Sequence, residues 1–197
     1  MADIEYHPLK PFLPKGGKLL FLGSFPPPRK RWCCEFFYPN YINDHWRLEG
    51  EVFYGDKLHF VDEEHKTYRL EEIKAHCEHY GIGFFDTAMA VRRLKDNASD
   101  KFLEVVVPTD IPSLLAQMPT CRAIVVTGEK AGETICRALD IPELPKVGHF
   151  VLIPDRTNEE GLPICIYRLP SSSRAYPLAF SKKAEAYKEM FKRFIDL

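Results

Sequence analysis

Residues 36–46 read FFYPNYINDHW and crowd flat rings around two asparagines. The amide of Asn43 offers both donors and an acceptor, which suits the edge of a nucleobase or a water molecule poised to attack. The same side chain, or that of Asp44, could instead cap a helix opening at HWRLEGEVF. Phe36 and Tyr38 are candidates to stack on a planar ligand, a contact worth about 1–3 kcal/mol per base. Trp46 and at least one of Phe36 and Phe37 are expected in the core.

Upstream lies GSFPPP, where Gly23 allows a ligand to approach the backbone and Pro26, Pro27 and Pro28 stiffen the exit. Such a turn, with Gly23, Ser24 and Phe25, can hold main-chain amides toward a flat ligand at little entropic cost. Arg29, Lys30 and Arg31 follow and could meet phosphates. Arg92, Arg93 and Lys95 form a second basic cluster, and Lys182 and Lys183 a third. Ser171, Ser172 and Ser173 are small hydroxyl residues that can come close to phosphates, with Arg174 and Tyr176 beyond them. A thiol nucleophile at Cys33 or Cys34, activated by a base such as His45, is a separate possibility. His76 and His79 stand at a spacing that can bind zinc, but with no third ligand nearby they are expected at the surface. TGEKAGETI lacks the spacing of a phosphate-binding loop.

These loops follow short apolar runs with the character of buried parallel strands: KLLFLGS (18–24), GIGFFDT (81–87), RAIVVTG (122–128) and ICIYRLP (164–170), with HFVLIP (149–154) a further candidate. Helical patterns lie between them. Leu70, Ile73, Cys77 and Tyr80 recur at three and four residues, Thr109 or Asp110 is placed to cap IPSLLAQM, and EKAGETICRALD follows Gly128. The C-terminal segment has Ser181 as a cap and Ala184, Tyr187, Met190, Phe191 and Phe194 on one stripe. The alternation predicts a parallel sheet with helices on both faces. Ligands bind such sheets beyond the carboxyl ends of the strands, where the unusual loops fall.

The chain has 197 residues, 45% apolar and 28% charged, a length that suits one domain. Its net charge of -1 argues against global attraction to nucleic acid while permitting a local basic face. The six cysteines form no CxxC pair and are expected as buried thiols. No apolar stretch approaches the roughly 18 residues of a membrane span. The start, MADIEYHPLK, lacks the order of a signal peptide, so a cytoplasmic location is expected.

LGSFPPP, the aromatics after it and NDHW together resemble the first motif of the uracil-DNA glycosylase superfamily. The resemblance is greatest to the hypoxanthine-DNA glycosylase and mismatch-specific branches, where a Gly-x-x-Pro loop precedes an aromatic, a proline and an Asn-x-Phe-Trp segment. LPSSSRA resembles the second motif, a proline-serine turn after the last core strand. GIGFFDTAMAVRR is similar to the middle strand, which in that branch reads Gly-Ile-x-x-x-Asp and leads toward an arginine. Order and spacing agree from about residue 18 to 195.

The resemblance implies one domain over residues 1–197 with a three-layer α/β/α fold around a mainly parallel sheet of four or five strands. It implies a monofunctional DNA glycosylase that flips uracil or hypoxanthine from double-stranded DNA and hydrolyses its N-glycosidic bond. Such an enzyme acts as a monomer without metal or cofactor. Gly23, Ser24 and Phe25 would line the base pocket, Phe36 or Tyr38 would stack on the base, and Asn43 would hold the water or read the base. Ser171, Ser172 and Ser173 would grip phosphates, Arg174 would enter or brace the gap in the duplex, and Arg29, Lys30, Arg31 and Arg92 would meet the DNA backbone. The chain departs from the pattern at Phe25, where many relatives carry Asp or Asn, and at Leu169, where the most active uracil enzymes carry histidine. Asn43 is then the one implied catalytic residue. A non-catalytic nucleic-acid or nucleotide binder on the same fold is the alternative.

Overall fold

The computed structural model describes residues 3–94 and 102–196. Four apolar runs form the parallel strands of the central sheet: β2 (Leu19–Gly23), β5 (Ile82–Asp86), β8 (Ala123–Val126) and β10 (Pro163–Arg168). They lie in the order β5-β2-β8-β10, and β9 (Phe150–Thr157) closes one edge antiparallel to β10. Leu19 to Leu22 are wholly buried, as are Ala123 to Val126, as strands covered on both faces must be. The free edge of β5 is partly covered by a bridge from Phe12 to Phe84.

Five helices pack around this sheet. α1 (His45–Tyr54) lies against α5 (Phe180–Phe194), α2 (Leu70–Tyr80) contacts β5, and α4 (Glu129–Ala138) contacts β8. The short α3 (Ile111–Ala116) is capped by Asp110, whose Oδ1 accepts from the Ser113 amide at 3.1 Å. α1 and α2 both end on a glycine in the left-handed region, Gly55 at φ 67° and Gly81 at φ 69°, where a side chain would be strained. α5 begins one residue earlier than the expected Ser181 cap, with Ala179 in the cap position, because Phe180 already packs against the core.

A second sheet was not foreseen. β1 (Ile4–Tyr6), β6 (Ala88–Arg93) and β7 (Leu103–Pro108) pair antiparallel in the order β1-β6-β7. Its buried face holds Phe25, Ala88, Val91 and Leu103 as a small apolar cluster. β6 begins two residues after β5 ends, so the chain passes from one sheet into the other through Thr87. A two-stranded ribbon of β3 (Val61–Asp62) and β4 (Thr67–Tyr68) completes the elements. Among the described residues no helix is long and apolar enough to cross a membrane.

Candidate functional site

Because β2, β5, β8 and β10 are parallel, their carboxyl ends share one edge of the sheet, and the loops leaving them enclose a cleft of about 1170 Å³. Gly23, Ser24 and Phe25 line it from β2, Asp86 from β5, Thr127 and Gly128 from β8, and Ser171, Ser172 and Ser173 from the loop after β10. Phe36, Tyr38 and Asn43 complete the wall. The proline turn and the serine turn, distant in sequence, thus face a common space.

Asn43 serves two ends. Its Oδ1 accepts the backbone N–H of His45 at 2.9 Å, tying down the first turn of α1, and the residue lines the cleft. Tyr38 has φ 50°, and its hydroxyl lies 3.3 Å from Thr127 Oγ1 across the cleft wall. Phe36 is only 5% exposed, clamped edge-on by Phe12 and Phe37 and stacked near Trp46, so Tyr38 is the better placed of the two rings to offer a face. Trp46 and Phe37 are core residues, as expected. Phe25 touches the cleft, but its ring sits in the small cluster under β6 and β7, which anchors the proline turn to the second sheet.

The loop after β10 is fastened to the loop before α1. The Asp44 amide donates to the Ser172 carbonyl at 3.0 Å, and Arg174 Nε donates to Asp44 Oδ1 at 2.8 Å. Ser172 is 2% exposed, with Tyr187 rather than solvent beside its hydroxyl. That leaves Ser171 and Ser173, both half-buried, as the more open of the three serines. Lys183, expected in a basic patch, is buried instead: Nζ donates to the Ser173 carbonyl at 2.7 Å and braces the turn from behind. Its charge is disfavoured first by burial, which lowers its pKa, while Asp44 works the other way.

The other basic groups are distributed unevenly. Arg31 lines the cleft with Lys130 and Arg174, but so do Glu129 and Glu133. Arg29 pairs with Glu35 and lies over the Trp32 ring at 4.0 Å. Lys30 shares the single turn of 3-10 helix, Arg29–Arg31, that carries them. Arg92 and Arg93 lie in the small sheet, outside the cleft lining: Arg92 is 3.4 Å from Glu104, and Arg93 is held by Glu5 and the Pro26 carbonyl. The second cluster thus has carboxylate neighbours of its own, on a strand that turns away into another sheet. Lys95 lies outside the described residues.

Two features were missed by sequence reasoning. Asp86 ends β5 on the cleft floor, and a Cβ on Gly23 would stand 2.3 Å from its Oδ1, so the glycine is what admits the carboxylate. Asp86 Oδ2 accepts from His7 Nε2 at 2.8 Å, and the His7 side chain is wholly buried. His7 Nδ1 in turn meets the backbone of Leu9, 2.9 Å from its carbonyl and 3.2 Å from its amide nitrogen. The second feature is a buried relay. Glu49 has no exposed surface, with Oε2 2.8 Å from His76 Nε2 and Oε1 3.0 Å from His45 Nε2. Burial alone would raise the Glu49 pKa, but the hydrogen bond with His76 and the imidazole of His45 beside Oε1 outweigh it and hold the carboxyl down to about 2. His76 is therefore not at the surface as expected, because α1 and α2 meet over this carboxylate. An aspartate closing a buried strand was the available signal for Asp86; Glu49 and His45 stand four residues apart, the one local hint of the relay.

His45 is engaged with Glu49, so it is not paired with a cysteine as a nucleophile's base. Cys33 donates its thiol to the Pro39 carbonyl at 3.0 Å, and its pKa is lowered to about 7, chiefly by a hydrogen bond with Cys34. All six cysteines are free; four are buried, and Cys33 and Cys34 are half-buried. Among the described residues no cluster of His, Cys, Asp and Glu could hold a metal ion.

No family model and no curated protein matches this sequence. Solved structures do match. The solution NMR structure of a "putative Uracil DNA glycosylase" from Methanosarcina acetivorans is 23% identical, with a TM-score of 0.59, over 95% of this chain and 99% of that one. The two chains share a fold along nearly their whole lengths: a mixed α/β architecture around a mostly parallel five-stranded sheet.

Proposed function

We propose that the protein is a monofunctional DNA glycosylase, acting as a monomer on double-stranded DNA, that hydrolyses the N-glycosidic bond of a flipped uracil or hypoxanthine. The observation that carries this reading is the cleft itself. It brings the proline turn, the serine turn, Asn43, Tyr38 and a buried carboxylate to one rim of the sheet. Its volume of about 1170 Å³ exceeds the roughly 300–1000 Å³ of pockets for small ligands, leaving room for a base together with its sugar and flanking phosphates. The shared fold with a protein bearing the glycosylase name is consistent with it. The three-layer α/β/α arrangement belongs to the same reading.

In this reading the base lies against Tyr38, and Asp86 Oδ1 accepts a ring N–H, which uracil and hypoxanthine both possess. His7 occupies the other carboxylate oxygen and so fixes which one faces the cleft. As the bond from the sugar to the base nitrogen breaks, the base takes the electron pair and the sugar becomes cationic. A water held by Asn43 adds through its oxygen to the anomeric carbon, and its proton ends on the departing base. Asn43 cannot take that proton at neutral pH, so its part is to orient the water. Main-chain amides of the Gly23–Phe25 turn are the donors nearest the developing negative charge, an arrangement that needs no reorganisation during the reaction.

The test uses labelled duplexes carrying uracil, hypoxanthine, xanthine or a mismatched thymine, with alkali cleaving any abasic site. Base release from the uracil or hypoxanthine duplex is expected, and Asn43→Ala should slow it about 100-fold. Asp86→Asn should slow it at least about tenfold, since an amide cannot accept from both His7 and the base with the same geometry. Salt-sensitive binding to every duplex without cutting would instead make the protein a non-catalytic binder, a reading that Phe25 and Leu169 favour because both positions are buried and apolar.

A further inference from the structure

Tyr38 is held in a conformation that it would not adopt unaided. Its φ of 50° lies in the left-handed region, where a bulky residue is an outlier sustained only by its surroundings. Those surroundings are identifiable. The next carbonyl, that of Pro39, accepts from both the amide and the thiol of Cys33, at 2.9 and 3.0 Å. The Tyr38 ring lies flat on the His45 imidazole, with centroids 3.7 Å apart and planes 12° from parallel.

His45 is itself immobilised. It has no exposed surface, and Phe21, Trp46 and Phe84 meet it edge-on at 5.3, 4.8 and 5.6 Å. Behind it stands Glu49, then His76, whose Nδ1 lies 3.0 Å from the Tyr54 hydroxyl at the end of α1. A buried carboxylate is costly unless its partners are well placed, so a core that needed only volume at this point would be served by an apolar side chain. The ring at the far end of the relay, Tyr38, is the one that lines the cleft.

We propose that His45 is a positioning residue: wedged among Phe21, Trp46 and Phe84, with Glu49, itself held by His76, against its Nε2 edge, it fixes the Tyr38 ring as the surface on which a flipped base stacks. This rests on the glycosylase reading for the identity of the ligand, while the clamping of Tyr38 is a property of the free protein. The relay acts through ring orientation, and neither histidine nor Glu49 touches the base. Titratable groups facing His45 are Glu49 on its own helix, His76 from α2, Tyr187 from α5 and Tyr38 from the cleft loop. Burial pushes the His45 pKa down, which keeps a neutral ring beneath Tyr38, while Glu49 pulls it the other way.

The experiment compares the wild type, Glu49→Gln, His45→Phe, Tyr38→Ala and the Tyr38→Ala/Glu49→Gln double variant. His45→Phe keeps an aromatic face in a buried slot and guards against loss of folding in Glu49→Gln. Two readouts are taken: affinity for a duplex bearing a non-hydrolysable 2′-fluoro deoxyuridine or deoxyinosine, and nitration of Tyr38 by tetranitromethane in the free protein, mapped by peptide mass spectrometry. Glu49→Gln is expected to weaken the duplex about tenfold, in line with partial loss of one stacked base, and to speed Tyr38 nitration severalfold. On top of Tyr38→Ala it should add nothing, because the relay acts only through that ring. Additive losses of affinity, or unchanged nitration in both Glu49→Gln and His45→Phe, would overturn the proposal. If the wild type binds no duplex, the glycosylase reading falls, and the nitration rates still decide whether the relay orders Tyr38.

Discussion

At the centre of the sheet, Leu20, Phe21, Ile124 and Ile166 are fully buried with only apolar neighbours on their strands. Around that centre, at the end of β5 and on the helices and loops packed against the sheet, the buried polar groups are His7, Asp86, His45, Glu49 and Lys183. The first region is stabilised by removing apolar surface from water, a force without direction. The second gains little from burial, since each polar group there must recover by hydrogen bonding what it loses in hydration. Lys183 finds the Ser173 carbonyl, Asp86 finds His7, and Glu49 finds His76, with the His45 imidazole 3.0 Å from its other oxygen. The centre therefore sets whether the chain folds, and the rim sets where particular atoms stand.

That contrast can be broken by substitution. Phe21→Ala should cost about 3–5 kcal/mol in urea unfolding, the usual range for emptying an aromatic site in a packed core. A loss much below that would mean that the centre relaxes as readily as a loop. Acid should act on the rim next. The Glu49 carboxyl is held at about 2 against an ordinary 4.5, so its stabilisation is complete above about pH 4.5 and is lost as pH falls toward 2. His45 has the same sign: its pKa is lowered in the folded protein, so the unfolded chain binds the extra proton below its ordinary 6.5, and stability declines from there downward. Unfolding measured from pH 7 to pH 3 should show the wild type losing more stability than Glu49→Gln; parallel curves would deny the relay its energetic role. The smallest effect is expected at Arg174, whose side chain is half exposed beside Asp44. Arg174→Ala should change stability by less than about 1 kcal/mol, as exposed ion pairs do, and should flatten the salt dependence of duplex binding.

The same contrast explains how far the sequence could be read. Apolar runs ending in glycine, aspartate or proline announce four parallel strands, because burial on both faces leaves a continuous signature in the chain itself. β9 was legible for the same reason, though only the structure shows it running antiparallel at the edge. The small sheet was not, because Ala88 and Ala90 are weak strand signals and β1 has only three residues. In the cleft, Gly23, Asn43 and the three serines stood out as unusual punctuation after strands. Asp86 showed only as the end of a strand and a motif position, and its pairing with His7 was hidden, since the two are 79 residues apart. Lys183 read as one of a surface pair because a lysine's burial depends on an acceptor, here Ser173, that lies outside its own helix.

The pairing of Asp44 with Arg174 joins residues 130 positions apart, and His7 reaches Asp86 from the opposite terminus. A nascent chain that has emerged only through β8 already holds three strands of the sheet but lacks one whole wall of the cleft. Competence to grip a ligand should therefore appear only when the segment from β10 onward docks against those strands.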